Sequence, residues 1–198
     1  MKGENGSIPA FARDILQTLE GAGHEAYCVG GCVRDTLLGR TPGDWDITTS
    51  ARPEETLALF GADALPTGLR HGTVTVRRPD GSAEVTTFRR DGDYTDHRHP
   101  ESVAFTDSLT EDLARRDFTV NAMALSLRGE LRDPFHGRED LAAGRIRCVG
   151  GPARRFGEDA LRILRGLRFA AVLGFAIEPE TAAALSAARG DLAAIAPE

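Results

Sequence analysis

Gly30-Gly31-Cys32-Val33-Arg34-Asp35-Thr36-Leu37-Leu38-Gly39-Arg40, followed after three residues by Asp44-Trp45-Asp46-Ile47-Thr48-Thr49, is the stretch on which the reading of this chain turns. An apolar run, Tyr27-Cys28-Val29, delivers the chain to the glycine pair, which opens a short helix that Gly39 stops. Glycine lets the backbone turn sharply and approach an anion closely, and the free N–H groups of a new helix attract phosphate. In the extended segment that follows, side chains alternate faces, so Asp44 and Asp46 share one face and Trp45 and Ile47 take the other. Two carboxylates about 7 Å apart on one strand face can grip hard, oxygen-seeking cations. Alone, Gly-Gly is usually a turn and Asp-x-Asp two solvated charges. In this order and spacing they predict metal-assisted phosphoryl transfer.

The 198 residues suit one sizeable domain, or a domain with a helical extension. No apolar run reaches membrane-spanning length, and the N-terminus lacks a signal-peptide core. Cys28, Cys32 and Cys148 form no even framework and no Cys-x-x-Cys pair, which points to buried thiols in a reducing cytoplasm. The net charge of -6 excludes a uniformly basic nucleic-acid binder. Positive charge is nevertheless concentrated. Lys2 is the sole lysine, and seven arginines against Glu158 and Asp159 fall between Arg145 and Arg168. Arginine forks bidentately onto phosphates and base edges, so this region fits a polyanionic partner at one end of the molecule.

Along the chain, residues 1–7 read as disordered, and Ser7 and Pro9 open a helix with Phe11, Ile15, Leu16 and Leu19 on its apolar face. Glu25 to Val29 reads as the first strand; Leu37 and Leu38 are expected to pack the next helix onto the sheet. Arg34 is a candidate phosphate contact, with Asp35 as its brace. Trp45 to Thr49 is the second strand, and a helix from Ser50 and Pro53 carries Leu57 and Phe60 inward. Residues 67–72 read as a turn. Strands at Thr73 to Arg77 and Ala83 to Phe88 join through Pro79-Asp80-Gly81. Glu84, in mid-strand, is either a solvent-facing acid or a third carboxylate for the metal site.

Residues 89–101 are polar and read as a mobile loop in which His97 and His99 are solvated rather than metal-bound. Val103 and Phe105 make a short strand. Asp107 or Ser108 caps a helix through Leu109 and Leu113, and a hairpin follows from Leu125 to Leu131. A last short strand is expected at Ile146 to Val149. One helix then runs from Pro152 through Phe169, with Leu161, Ile163, Leu164, Leu167 and Phe169 on its apolar side. Within it Asp159 and Arg162 stand three apart and are helix neighbours, an ion pair worth only a few tenths of a kcal/mol if nothing else engages it. Gly174 ends this helix, Pro179 starts another, and alanine-rich sequence continues to Glu198.

Three stretches then combine: Gly30 to Thr49, Leu113-Ala114-Arg115-Arg116-Asp117-Phe118-Thr119-Val120-Asn121-Ala122, and Glu158-Asp159-Ala160-Leu161-Arg162. Together they resemble the class II tRNA nucleotidyltransferases, the CCA-adding enzymes and their bacterial poly(A) polymerase relatives. The resemblance covers roughly residues 25–190. It implies an α+β fold, a nucleotidyltransferase (polymerase beta-like) head at 1–140 with a small mixed sheet flanked by helices. Residues 141–198 would be an all-helical neck that selects the base, joined through a hinge at 137–144, and the chain would stop before the family's body and tail.

The implied activity is template-independent addition of C and A to the tRNA 3′ end from CTP and ATP with two Mg²⁺ ions. By the same resemblance Asp44 and Asp46 hold metal and act catalytically with Glu84, while Gly30, Gly31 and Arg34 hold the β- and γ-phosphates. Arg116, Asp117 and Asn121 contact triphosphate, ribose and metal. Asp159 and Arg162 read the base edge, and Arg165 and Arg168 complete the nucleotide-binding set. Thr67-Gly68-Leu69-Arg70-His71-Gly72-Thr73 resembles the CCA-adding version rather than the poly(A) polymerase one, and the complete 89–101 segment disfavours CC-only addition. A-only addition stays open. A non-catalytic nucleotide- or RNA-binding module is disfavoured because the metal carboxylates are retained.

Overall fold

In the computed structural model, residues 8–92, 94 and 102–194 are described. The expectations for residues 1–7, for His97 and His99, and for most of the 89–101 loop lie outside them. The chain opens with α1 (Ala10–Gly21), whose Ala12, Ile15, Leu16 and Leu19 are buried at helical spacing. It continues through β1 (Ala26–Val29), α2 (Gly31–Leu37), β2 (Trp45–Thr49) and α3 (Pro53–Phe60). Next come β3 (Ala64–Gly68), β4 (Thr73–Arg78), β5 (Gly81–Thr87), β6 (Arg89–Asp91) and β7 (Val103–Phe105). Then follow α4 (Leu109–Ala114), β8 (Ala124–Leu125), β9 (Leu131–Arg132), α5 (Gly137–Ala142) and β10 (Arg145–Ile146). The chain finishes with α6 (Pro152–Glu158), α7 (Leu161–Leu173), β11 (Ala176–Ile177) and α8 (Pro179–Ala187).

Seven strands form one mixed sheet in the order β3-β4-β5-β2-β1-β8-β9. β2 lies inside it, antiparallel to β1 and parallel to β5. Alternation along β5 buries Ala83, Val85 and Thr87 and exposes Ser82 and Glu84. Ala83 and Val85 join Ile47, Val74, Val76 and the apolar side of α1 in the main core. The opposite face of the sheet carries Asp46, Thr48 and Glu84, and there α4 docks through Asp112 against Thr48. The sheet thus has a packed side and a working side, as an alternating strand pattern demands. This is the α+β architecture with a mixed sheet and flanking helices that the sequence led us to expect.

Several local expectations are corrected. Leu37 is 39% exposed, and α2 is packed by Cys32 and Val33 instead, with Leu38 partly buried. The 67–72 turn begins in β3, an edge strand holding Pro66, which lacks an N–H and is tolerated only where no ladder bond is needed. Arg89–Asp91 is not loop; it pairs with β7 through backbone bonds that require no apolar side chains. The expected Ile146–Val149 strand shrinks to β10 and a single bridge between Phe118 and Cys148.

The single helix expected from Pro152 is two. Asp159 sits between α6 and α7 with extended backbone (φ -142°, ψ 104°), and its Oδ1 accepts the Leu161 N–H at 2.9 Å. The break resets the helical phase. α7 buries Arg162, Ile163, Gly166, Phe169 and Leu173, while Leu164 (45%) and Leu167 (47%) face outward. Gly166 is needed at that crossing, because a Cβ there would lie 3.0 Å from the Phe118 ring.

Beyond α5 the helices are accompanied by a parallel pair, β10 with β11, too short for periodicity to reveal. The expected boundary at 140/141 falls inside α5. One apolar core runs across it, joining Phe118, Val120 and Met123 to Ile146, Phe156, Ile163 and Phe169. Asp140, buried in α5, fastens the crossing by accepting Thr119 Oγ1 (2.7 Å), Arg145 Nε (2.8 Å) and Arg147 Nε (2.7 Å).

Candidate active site

The turn between β1 and α2 puts Gly30 at φ +77°, a conformation that side-chain-bearing residues rarely adopt. A Cβ there would meet Arg116 Nη1 at 3.4 Å and Asp46 Oδ2 at 3.6 Å. These are ordinary contacts, so it is the positive φ that calls for glycine at a turn lying against an acid and a base. From this point a cavity of about 450 Å³ opens. Its walls include Gly30, Gly31, Arg34, Asp46, Arg116, Asp117, Asn121, Asp159, Arg162, Arg165 and Arg168. Every residue expected to bind nucleotide is thus gathered around one space, although they lie up to 138 positions apart.

The three expected catalytic carboxylates are distributed unevenly. Asp46 is in the cavity wall; Asp44, just ahead of β2, is exposed; Glu84 faces solvent directly across the β2–β5 ladder from Asp46. Burial pushes the Asp46 carboxyl up; Arg116 pulls it down, and the charges of Glu84 and Asp44 push it up further. The net shift is upward. Among the described residues no three of His, Cys, Asp and Glu converge as ready-made metal ligands. Asp46 and Glu84, opposite one another on the β2–β5 ladder with Asp44 nearby, offer carboxylate oxygens, the donors that Mg²⁺ takes one or two of before completing its shell with water and substrate phosphate. Mutually repelling carboxylate oxygens are the right donors for it.

On the phosphate side, Arg34 is fixed by a two-pronged contact with Asp35 (2.9 and 3.0 Å) and donates from Nη1 to Asn121 Oδ1 at 2.7 Å. Arg165 Nε donates to Asp117 Oδ2 at 2.6 Å, while Asp117 Oδ1 accepts the Phe118 N–H at 2.8 Å. Arg115 and Arg116 are anchored by Asp112, which is fully buried and accepts their N–H groups at 2.9 and 3.3 Å. It also accepts the Thr48 hydroxyl (3.1 Å) and the Arg89 backbone N–H (3.3 Å).

Burial alone would raise the Asp112 carboxyl, but Arg115, Arg116 and the hydrogen bonds outweigh it and hold it below the usual carboxylate range. Asp112→Ala is expected to cost about 3 kcal/mol in urea unfolding, since two guanidiniums lose their partner. With its folded pKa depressed, Asp112 stabilises above the unfolded value near ~3.9 and loses that contribution as pH falls through the folded one. The gap between parent and variant should accordingly narrow below about pH 4. A gap under about 1 kcal/mol at neutral pH would demote Asp112 to a surface-grade pair.

The end of the cavity expected to read the base departs from the expected helical pair. Arg162 is buried, and its Nη1 donates to Glu158 Oε2 at 2.7 Å and to the Arg155 carbonyl at 3.1 Å. Its Nη2 donates to the Arg115 carbonyl at 3.2 Å, whereas Asp159 Oδ2 stands 4.0 Å from Nε. Glu158 is the tight partner. Burial raises the Glu158 carboxyl, but the hydrogen bond from Arg162 and the Arg155 charge win and lower it. The Tyr94 ring lies 5.9 Å from the Arg162 guanidinium, and its hydroxyl donates to Asp91 Oδ2 at 2.8 Å.

Arg89, Asp91, Tyr94, Arg115 and Phe169 complete the wall and were not singled out from sequence as site residues. Asp112 had a legible signal, standing three and four before Arg115 and Arg116, the helical ion-pair spacing. Glu158 stood in the quoted motif. Burial and the Arg115 charge drive the Arg89 guanidinium down to about 10, against the pull of Asp91 and Asp112.

Residues 26–147 match the family described as the poly(A) polymerase head domain. The chain belongs to that family. The CCA-adding enzyme of Oceanobacillus iheyensis is 50% identical to this head-domain chain over 187 residues, 94% of the chain and 46% of the relative. The crystal structure of Bacillus stearothermophilus CCA-adding enzyme in complex with CTP superposes with a TM-score of 0.88 at 46% identity, covering 96% of this chain and 46% of that one. Thermotoga maritima CCA-adding enzyme complexed with tRNA-CCA gives 0.76 at 28% identity, covering 96% and 45%. This head-domain chain therefore spans about half the length of the relatives it matches. Among the described residues no helix is long and apolar enough to cross a membrane.

Proposed function

We propose that this chain carries the catalytic head and base-selecting neck, divided near residue 140, of a CCA-adding tRNA nucleotidyltransferase. It adds C and A to the tRNA 3′ end from CTP and ATP. The observation that carries the reading is the single cavity in which Asp46, the phosphate-side arginines and the Asp159/Arg162 pair meet. A cytoplasmic reaction fits three free, buried thiols.

In the proposed reaction the RNA 3′-hydroxyl oxygen forms a bond to the α-phosphorus, the bond to the bridging oxygen breaks, and pyrophosphate leaves. Mg²⁺ held by Asp44 and Asp46, with Glu84 beside them, would supply activation of the hydroxyl and charge neutralisation on the leaving group. Arg34, Arg116, Arg165 and Arg168 surround the triphosphate with fixed positive charge, so catalysis rests on positioning and electrostatics rather than covalent chemistry. Asp117 and Asn121 hold Arg165 and Arg34 in place and stand ready for the ribose.

Cytosine and adenine both offer an exocyclic amino donor beside a ring-nitrogen acceptor. A carboxylate next to a guanidinium matches both, and guanine or uracil meets the wrong group at each point.

The deciding experiment offers tRNAs ending before, within or after CCA with each labelled triphosphate and reads products at nucleotide resolution. C, C and A should be added in turn, with nothing added to a complete end. Addition of A alone to an end already carrying CC would mean an A-adding enzyme, and A runs on any RNA a poly(A) polymerase. Triphosphate binding without addition would mean a binding module.

Residues 92–101 lie between β6 and β7, and Tyr94 reaches from this segment to Arg162. The family resemblance makes the 89–101 loop a lever that resets the site between C and A, so shortening it should lower A addition far more than C addition. Equal losses in single-turnover assays with CTP and ATP would show that the segment is only a cover.

A further inference from the structure

Phe169 belongs to the apolar face of α7 by its sequence spacing, and it is 7% exposed. It packs in the main apolar core, yet it also meets charge. The guanidinium carbons of Arg34, Arg165 and Arg168 each lie 5.2 Å from the ring centroid. The ring also lines the cavity, and it is held edge-on by the buried Phe118 at 5.9 Å between centroids. Three like charges around one point repel one another. Arg34 and Arg165 also have carboxylate partners in Asp35 and Asp117, but among the described residues the ring is what all three arginines share. An aromatic face attracts cations through its quadrupole, most strongly when it is shielded from water.

From this we propose that Phe169 is a positioning residue for triphosphate. Its ring holds three arginines converged before the nucleotide arrives, so that the anion meets a preformed charge cluster. Binding then costs less reorganisation than it would from three separately solvated side chains. Because the ring touches the arginines and not the base end, the effect should be the same for CTP, ATP and bare tripolyphosphate. The inference rests on the triphosphate-binding reading of the cavity.

The test separates packing from the quadrupole. Pentafluorophenylalanine at position 169 keeps the ring's shape and apolar surface but reverses the sign of its face. Phe169→Leu removes the face, and Phe169→Tyr keeps it. Binding of CTP, ATP and tripolyphosphate to the 198-residue chain is measured by titration calorimetry, with thermal unfolding alongside. The parent should bind all three. The pentafluoro and Leu proteins should bind each about 5- to 30-fold more weakly, while the Tyr protein stays within about twofold. If the pentafluoro protein binds as tightly as the parent, Phe169 is only core and the inference falls while the site reading stands. A loss confined to CTP or ATP would also overturn it, since the base end would then be responsible. If the parent itself binds none of the three, the nucleotide reading fails and the inference falls with it. The pentafluoro ring keeps the planar apolar shape and is only modestly larger than phenyl, so, with thermal unfolding showing that it is folded, the comparison survives even if the Leu variant does not fold.

Discussion

Asp46→Ala is expected to lower nucleotide addition at least about 1000-fold while the protein stays folded, since charge stabilisation by a bound metal is worth several kcal/mol of barrier. Asp46 is the one member of the carboxylate trio that lines the cavity, and it lies against the Gly30 turn. Its environment opposes its charge: burial, Glu84 and Asp44 raise its pKa above the ordinary value despite Arg116. For an acid, a raised folded pKa means that the ionised form at neutral pH works against the fold, and that protonation relieves it. Asp46→Asn should therefore unfold at a temperature no lower than the parent's while losing activity as Ala does. That combination marks a residue kept for chemistry at the expense of stability. A folded variant that adds nucleotides at near-parent rate would remove Asp46 from the mechanism. A large drop in Tm would mean that its role is structural. Glu84→Ala tests the neighbouring carboxylate across the ladder, and a large loss is expected there too. An unchanged rate would leave Glu84 as the solvent-facing acid its exposure allows.

The parts of this site that sequence made legible are those whose cause is local. A glycine pair after an apolar run, alternation through Trp45 to Thr49 and the turn at Pro79-Asp80-Gly81 each act over a few residues. The strands and helix they predicted are present with bounds shifted by a residue or two. What escaped is set by partners distant in sequence. β3, β6 and β11 exist because another strand lies alongside, and their own side chains carry little signal. Phe169 read as core, and it is core; what spacing could not report is that three arginines also gather on its ring. The break at Asp159 was hidden for a different reason. Gly157, two residues earlier, still lies inside α6, and it is an aspartate able to accept a backbone N–H two residues on that ends one helix and begins another. The pairing of Arg162 changed accordingly, from Asp159 to Glu158.

That change of partner sharpens the second large effect. Asp159→Ala should relax base selection about ten- to hundredfold, the worth of one hydrogen bond to a charged group, and leave Arg162 where it is. Arg162 is secured by Glu158 and by the carbonyls of Arg155 and Arg115, so removing Asp159 does not release it. Under the proposed reading, what is lost is the carboxylate that would accept from the exocyclic amino group of C or A, and the penalty against U and G should shrink. The Leu161 N–H also loses its acceptor, a helix-start bond whose removal costs about 1 kcal/mol in stability. Asp159→Asn separates the two effects, because its side-chain carbonyl can keep the Leu161 bond while its amide offers a donor where the carboxylate had none. Selectivity should therefore fall in both variants and stability only in the Ala one. Arg162→Ala, by contrast, should weaken CTP and ATP together and also destabilise the fold, because Glu158 is left half-buried without its closest cation. The measurement is kcat/KM for all four triphosphates on each variant. A plain surface ion pair predicts a stability change under about 1 kcal/mol and ratios identical to the parent's. Identical ratios in Asp159→Ala and Asp159→Asn would take base reading away from Asp159 and leave it as a helix-breaking acid beside the cavity.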